Sequence, residues 1–236
     1  MSDLNKGFHD SPNIHDNSGV YEIENIACDP ENKIEKFMES SFDLEGKNIL
    51  DIGCGTAFHL PHFAKYAGHV FGVEPFDVNR VKGMKRICDL GLENVSLLKG
   101  TAEALPLSND LIDFAYARFA YFWGEGCEPG LDEVFRVLRP GGTFLMIDNN
   151  LERGSFGGWV KKSFNFSDTH QEEIDKFWFD RGFKLEVIDS NWSFKSREDF
   201  ESVIAIEFPE NIAKEILEVH KGTSIDYTFN LYYKTK

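Results

Sequence analysis

Ile49-Leu50-Asp51-Ile52-Gly53-Cys54-Gly55-Thr56-Ala57 is the stretch whose reading decides the fold. A short strand-like run leads straight into two glycines, and a helical pattern begins just behind them. Glycine at 53 and at 55 lets the backbone approach a ligand with no Cβ in the way. The helix start that follows offers N–H groups without intrahelical partners. Alone, such a turn suits many nucleotide-binding folds and also occurs as a tight turn with no ligand, so the residues around it must specify it.

Short apolar runs alternate with longer helical patterns on either side. NILDI (48–52) and HVFGVE (69–74) read as strands and bracket a helix through His59–Ala67. A second helix runs near Val78–Leu90 and ends at Gly91. VSLLKG (95–100) and LIDFAYA (111–117) are strand-like. EPGLDEVFRVLR (128–139) is helical and is stopped by Pro140-Gly141-Gly142, and TFLMID (143–148) is the next strand. This β-α-β-α order calls for a parallel sheet with helices on both faces. Beyond Asp148, SFGGWVKKSFNF (155–166) is aromatic and broken by glycine. A helix follows at about Thr169–Arg181, then the strand FKLEVIDS (183–190). Two helices broken at Pro209 span about Ser196–His220, and SIDYTFNLYYK (224–234) alternates as a final strand. At the other end, residues 1–18 are polar and aperiodic, a mobile arm. Asp29-Pro30 reads as an N-cap and first helical position, leading a helix through Ile34, Phe37 and Met38 to about Ser41.

Charge narrows the function. The 236 residues carry 25 Lys+Arg against 40 Asp+Glu, a net charge of −15. Such a surface repels phosphate backbones and anionic lipid headgroups, so neither nucleic acid nor a membrane is an expected partner. The longest basic cluster, around Lys82, Lys85 and Arg86, is short; the acidity itself reads as a device for solubility. No apolar run approaches the roughly 20 residues of a membrane span, and the polar start is no secretory signal. Cys28, Cys54, Cys88 and Cys127 show no zinc-site spacing. They are expected to be reduced thiols in a cytoplasmic protein, and no metal is expected.

Glu74 sharpens the reading of the glycine turn. It ends the next strand, 19 residues past Gly55, where an acidic residue in an open parallel sheet meets the crevice beyond the strand ends. Its two oxygens can accept from both hydroxyls of a ribose; a solvated strand-end carboxylate is the competing reading. NAD and S-adenosylmethionine both fit so far. Asp51 separates them, because a dinucleotide places a pyrophosphate at the turn, where a carboxylate would repel it. S-adenosylmethionine carries a sulfonium and an ammonium instead, which a carboxylate attracts.

Four motifs in order, ILDIGCGTAFHL, VFGVEPF, GTAEALPLSNDLIDFAYARFAYFW and LDEVFRVLRPGGTFLMID, resemble those of class I S-adenosylmethionine-dependent methyltransferases, most closely the branch acting on small molecules. The resemblance covers about residues 45–148 and, more weakly, the last strand. Ala57 departs from it, standing where a third glycine is frequent. The fold it implies is α/β: a Rossmann-like, doubly wound, seven-stranded sheet, mostly parallel with an antiparallel final strand. Residues 19–236 then form a single methyltransferase domain, with a helical lid over 19–46, a cofactor-binding core over 47–148, a helical and aromatic acceptor side over 149–220 and the final strand over 221–236.

The same resemblance implies the roles of the site residues. Backbone at Gly53, Cys54 and Gly55 approaches the methionine portion of the cofactor, with Asp51 near its amino group. Glu74 takes the ribose hydroxyls, facing a solvent-filled crevice in the free protein, with Pro75 beside it and Phe76 flanking the adenine. Thr101, Ala102 and Glu103 line the adenine, and Arg118, Phe119 and Ala120 lie near the transferable methyl. Tyr21 and Asn25 are positioned to belong to the lid.

Methyl transfer from a sulfonium is an in-line displacement, so alignment and exclusion of water carry most of the work. A hydroxyl acceptor usually wants a base. His59, His62, Tyr121, Asp148 and His170 are available; Asp148, at the ligand end of a central strand, is the first choice to orient an acceptor, with His59 and Tyr121 behind it. Tyr121-Phe122-Trp123 and Phe156, Trp159, Phe164 and Phe166 offer rings for an acceptor pocket. Trp123 and Trp159 join Tyr21 as candidate substrate contacts, although most aromatics in any fold are core. Ala117-Arg118-Phe119-Ala120 stands where nucleic-acid and glutamine methylating enzymes carry Asn-Pro-Pro-Tyr or Asp-Pro-Pro-Tyr. The expectation is therefore methyl transfer to an N or O atom of a small molecule or short peptide. The alternatives are a module that binds S-adenosylmethionine or S-adenosylhomocysteine without turnover and an NAD(P)-dependent oxidoreductase.

Overall fold

A computed structural model of the chain describes residues 14, 16–163 and 169–236. Most of the expected N-terminal arm, together with Phe164 and Phe166, lies outside the described residues. Seven strands form one sheet: β1 (Asn48–Ile52), β2 (His69–Glu74), β3 (Val95–Lys99), β4 (Ile112–Arg118), β5 (Leu138–Asn149), β6 (Lys184–Ser193) and β7 (Ser224–Thr235). Their order is β3-β2-β1-β4-β5-β7-β6. The first five are parallel, and β7 runs antiparallel between β5 and β6. Successive strands leave β1 first to one side and then to the other. The crevice beyond the carboxyl ends of β1 and β4 is thus the switch point at which open α/β sheets bind ligands.

The period of two along each central strand feeds two cores. Ile49, Phe114, Tyr116, Leu145, Ile147 and Phe229 face one side. They pack there against α2 (Lys33–Ser41), α3 (Leu60–Phe63), α6 (Gly154–Ser163), α8 (Arg197–Glu207) and α9 (Glu210–Val219). Leu50, Ile52, Ala115, Phe144 and Met146 face the other side, under α5 (Glu128–Val137) and α7 (Gln171–Asp180). α4 (Asp77–Asp89) packs on β2 and β3, and α1 (Ser18–Ala27) on α8 and β6.

Three elements differ from their sequence reading. The helix expected through His59–Ala67 is the single turn α3, because the Asn94 amide donates to the carbonyls of Ala64 and Ala67 at 3.0 Å each and holds that segment in a turn. The helix expected from Pro30 begins at Lys33. Asp29 and Asn32 both have φ of 51°, and the Asp29 carboxylate accepts from the Ile34 N–H at 2.9 Å, capping α2 across the turn. The helix expected to Arg139 ends at Val137: Leu138 is extended and already opens β5. The aromatic 155–166 segment is helical as far as Ser163.

Candidate functional site

The turn after β1 bends sharply back towards β2. The N–H groups of Gly53 and Cys54 both donate to the Val73 carbonyl, at 2.8 and 3.2 Å. Gly53 and Gly55 have φ of 76° and 54°, a region that costs a side chain about 1–2 kcal/mol. Space is short as well: a Cβ on Gly53 would sit 2.6 Å from the Ala120 Cβ, and one on Gly55 would sit 2.8 Å from Ile14 Cδ1. The loop after β4 and the segment before α1 therefore close on the turn from two sides.

Glu74 is a correction to the expected solvent-facing carboxylate. It is 4% exposed. Its Oε2 accepts from the Gly55 N–H at 3.0 Å, and its Oε1 from the Phe76 N–H and the Asn79 amide at 3.1 Å each. The carboxylate that lies in register for a ribose is also the bracket that joins the glycine turn to the start of α4. Arg80 extends the bracket by donating to the Glu74 and Pro75 carbonyls at 2.7 and 2.8 Å.

Asp51 is 3% exposed, and its Oδ2 accepts from the Tyr116 hydroxyl at 2.7 Å. Burial pushes its carboxyl up to about 7; the Tyr116 hydrogen bond and the Arg118 charge oppose that rise and Glu74 adds to it. Arg118, at the end of β4, donates to Glu35 of α2 at 2.9 Å. Glu35 Oε1 also lies 3.4 Å from His59 Nδ1. Burial alone would raise the Glu35 carboxyl, but Arg118 and His59 overcome it and hold the group well below the usual range. His59 goes the other way: burial, reinforced by Arg118, brings its imidazole down to about 4, so it is neutral at physiological pH. It is thereby committed to an internal cluster.

The loop after β4 is held in an uncommon backbone conformation. Phe119 and Tyr121 have φ of 52° and 61°, a strain found where surrounding structure over-determines a functional segment. The Tyr121 hydroxyl donates to Glu103 at 2.9 Å, tying this loop to the 101–104 segment, itself closed by a bridge between Thr101 and Ala104. Ala102 is buried in the second core.

α1 is fastened over the turn by Glu22. Its carboxylate accepts from Thr56 Oγ1 at 3.0 Å and from Arg86 at 2.5 Å, and Arg86 also donates to the Thr56 carbonyl at 2.6 Å. Tyr21 of the same helix lies among Glu24, Glu207, Arg118 and Cys28.

On the β5 side, Asp148 is half-buried. Burial pushes its carboxyl up to about 7, opposed by the Asn149 N–H that donates to it at 2.7 Å. Phe119 stacks on Tyr227 with ring centroids 6.2 Å apart, and Tyr227 meets Phe156 at 4.1 Å. Trp159 packs edge-on against Phe208 and the His220 ring, and Trp123 is 41% exposed.

A methyltransferase-domain family model matches residues 49–142, the span from β1 into the first residues of β5. A demethylmenaquinone methyltransferase of Listeria monocytogenes is 34% identical over 125 residues, 51% of each chain. The chain thus spans about half the length of the curated relatives it matches. Among solved structures, the YcgJ protein of Bacillus subtilis superposes with a TM-score of 0.64 at 19% identity, covering 87% of this chain and 98% of that one. An S-adenosylmethionine-dependent methyltransferase of Aquifex aeolicus gives 0.59 at 20% identity, covering 92% and 96%. Residues 49–142 thus match a methyltransferase domain, and the sheet that holds them has the fold of solved S-adenosylmethionine-dependent methyltransferases.

The site around the glycine turn suits S-adenosylmethionine chemically. Asp51 is a buried carboxylate at the turn whose ionisation would be favoured by a ligand cation, and Glu74 is a second carboxylate beside it. Glu74 suits a ribose in either kind of nucleoside cofactor, whereas a carboxylate at Asp51 opposes a pyrophosphate at the turn and favours a sulfonium with an ammonium. Among the described residues there is no group of three or more His, Cys, Asp or Glu arranged to hold a metal ion, and no helix is long and apolar enough to cross a membrane.

Sequence reasoning missed Glu22, Glu35 and Tyr116. Only Tyr116 left a signal: once β1 and β4 pair with Ile49 opposite Phe114, Tyr116 falls opposite Asp51. Glu22 and Glu35 reach residues 34 and 83 positions away, and nothing local marks them.

Proposed function

We propose that the protein transfers the methyl group of S-adenosylmethionine to a nitrogen or oxygen atom of a small-molecule acceptor. The observation that carries this reading is the buried Asp51 carboxylate beside the glycine turn, with Glu74 in register for a ribose. The demethylmenaquinone methyltransferase similarity supports a small-molecule acceptor over a polymer.

S-adenosylmethionine supplies an already activated methyl group. The work left to the chain is binding, orientation and exclusion of water. Asp51 takes the ammonium of the methionine portion and Glu74 the ribose hydroxyls. Gly53, Cys54 and Gly55 give the backbone its approach, while Pro75, Phe76, Thr101, Ala102 and Glu103 border the adenine end. Phe119 and Tyr227, with Tyr21 from α1, wall the acceptor side. Asp148 is the group suited to orient the acceptor and take its proton, since a carboxyl raised to about 7 is half ionised at neutral pH. His59 and Tyr121 are positioning residues in this scheme, the first held by Glu35 and the second by Glu103.

The test is incubation with isotopically labelled S-adenosylmethionine and a small-molecule extract, with the products read by mass for an added methyl. A labelled small molecule is the expected result. Binding of S-adenosylhomocysteine without any labelled product would favour a non-catalytic binding module. A thermal shift with NAD but not with S-adenosylhomocysteine would favour an oxidoreductase.

A further inference from the structure

We propose that Tyr116 is a positioning residue for cofactor recognition: its hydroxyl aims the Asp51 carboxylate at the ammonium of the cofactor's methionine portion. The inference rests on the S-adenosylmethionine-binding reading above and adds a residue to it.

Parallel pairing of β1 with β4 sets Tyr116 directly across from Asp51, and both side chains lie on the same face of the sheet. Tyr116 is 1% exposed. Its ring packs on Phe63 of α3 at 5.0 Å between centroids and on Phe114 at 6.4 Å, so the phenol has one direction in which to point. A tyrosine whose ring sits in a core and whose hydroxyl ends on a carboxylate is specified at both ends. Phenylalanine would fill the same core, so packing does not explain the hydroxyl.

The other charged groups near Asp51 do not replace Tyr116. Arg118 of β4 lowers the carboxyl through space, but its guanidinium is spent on Glu35 at 2.9 Å and lies 3.9 Å from Cys28 Sγ. Glu74 of β2 raises it. Cys54 of the turn is itself pushed up by burial and by Asp51, and so stays a neutral thiol. Tyr116 engages Oδ2, which fixes the plane of the carboxylate and leaves Oδ1 as the atom a ligand ammonium meets. Hydrogen bonding to the charged form favours that form, so the same hydroxyl that orients Asp51 also opposes the rise that burial imposes and favours the carboxylate its cationic partner needs.

The experiment compares two ligands on the full chain. S-adenosylhomocysteine carries the ammonium; 5′-methylthioadenosine keeps the adenosine and the thioether but lacks the amino-acid tail. Both are titrated calorimetrically into wild type, Tyr116→Phe and Asp51→Asn across the neutral pH range. Tyr116→Phe should weaken S-adenosylhomocysteine about fivefold or more and leave 5′-methylthioadenosine unchanged. The pH at which S-adenosylhomocysteine affinity rises should move upward in that variant, because its Asp51 ionises less readily. Asp51→Asn should show the same ligand selectivity and abolish the pH dependence. Equal losses for both ligands, or an unmoved pH midpoint, would overturn the role of Tyr116. Should Tyr116→Phe not fold, an Asp51→Asn protein that weakens both ligands alike would overturn it as well. If neither ligand binds wild type, the cofactor reading itself fails, which is a different result from a non-selective variant.

Discussion

The Arg118 guanidinium meets the Glu35 carboxylate at 2.9 Å with both side chains less than a tenth exposed. This ion pair joins the end of β4, beside the strained Phe119–Tyr121 loop, to α2 in the N-terminal cover. A buried pair gains little over an apolar replacement, but breaking it leaves an uncompensated charge. Glu35→Ala should therefore lose about 3–5 kcal/mol of stability. The double change Glu35→Leu with Arg118→Met should recover much of that loss. Urea unfolding of wild type and the two variants checks both points. A Glu35→Ala protein within about 1 kcal/mol of wild type would mean that water reaches Arg118.

His59 gives the fold an acid-side sensitivity. Its folded value is lowered to about 4 from an ordinary value of about 6.5. Below about pH 6.5 the unfolded chain takes up a proton that the folded chain refuses, so stability falls as the pH drops and the loss is complete near pH 4. The size of the effect is at most about 3 kcal/mol. His59→Gln should be less stable than wild type at neutral pH, and the gap should narrow on acidification. Melting curves of the two proteins across that range decide it; a constant gap would place a protonated imidazole in the folded protein.

Glu22 should act on the cover more than on the fold. Its carboxylate and the Arg86 side chain are 31% and 22% exposed, so Glu22→Gln should cost no more than about 1 kcal/mol globally. Locally, amide exchange in α1 should quicken while that in β1 and β4 does not, and S-adenosylhomocysteine should dissociate faster. Hydrogen-exchange mass spectrometry and a stopped-flow displacement read these out. Unchanged exchange in Ser18–Ala27 would show that packing of Val20 and Ile23, rather than the ion pair, holds the helix.

Much of this architecture was legible because it is local. The alternation of short apolar runs with helical patterns gives the strand sequence, and Asp51, Gly53, Gly55 and Glu74 lie within one strand–turn–helix–strand unit. Local signals failed where a distant group decided the conformation. His59–Ala67 has a helical pattern, but Asn94, 27 residues past Ala67, takes its carbonyls. Pro30 looks like a first helical residue, but Asp29 is drawn away by Ser190, which donates to it at 2.6 Å. The burial of Glu74 was hidden for the same reason. A strand-end carboxylate looks solvated until the glycine turn and α4 are seen to donate three hydrogen bonds to it.

That burial changes what a substitution at Glu74 should do. Glu74→Ala removes the acceptor for the Gly55 N–H, the Phe76 N–H and the Asn79 amide. Leaving a buried donor unsatisfied costs about 1–3 kcal/mol, so the variant should lose about 2–5 kcal/mol of stability even if water reaches one of the three. Loss of affinity in Glu74→Ala alone would then not separate a ribose contact from a collapsed turn. Changing the ligand does. If Glu74 accepts from the ribose, wild type should bind S-adenosylhomocysteine at least about tenfold more tightly than its 2′-deoxy counterpart, since a hydrogen bond to a charged group is worth about 1.5–3 kcal/mol. Glu74→Gln keeps the shape and one acceptor oxygen but turns a donor towards the hydroxyls, so its two affinities should converge. Calorimetric titration of both ligands, below the melting temperature of each protein, gives the comparison. A wild-type protein indifferent to the 2′-hydroxyl would assign Glu74 to the turn alone, and the ribose would have to be held elsewhere in the crevice.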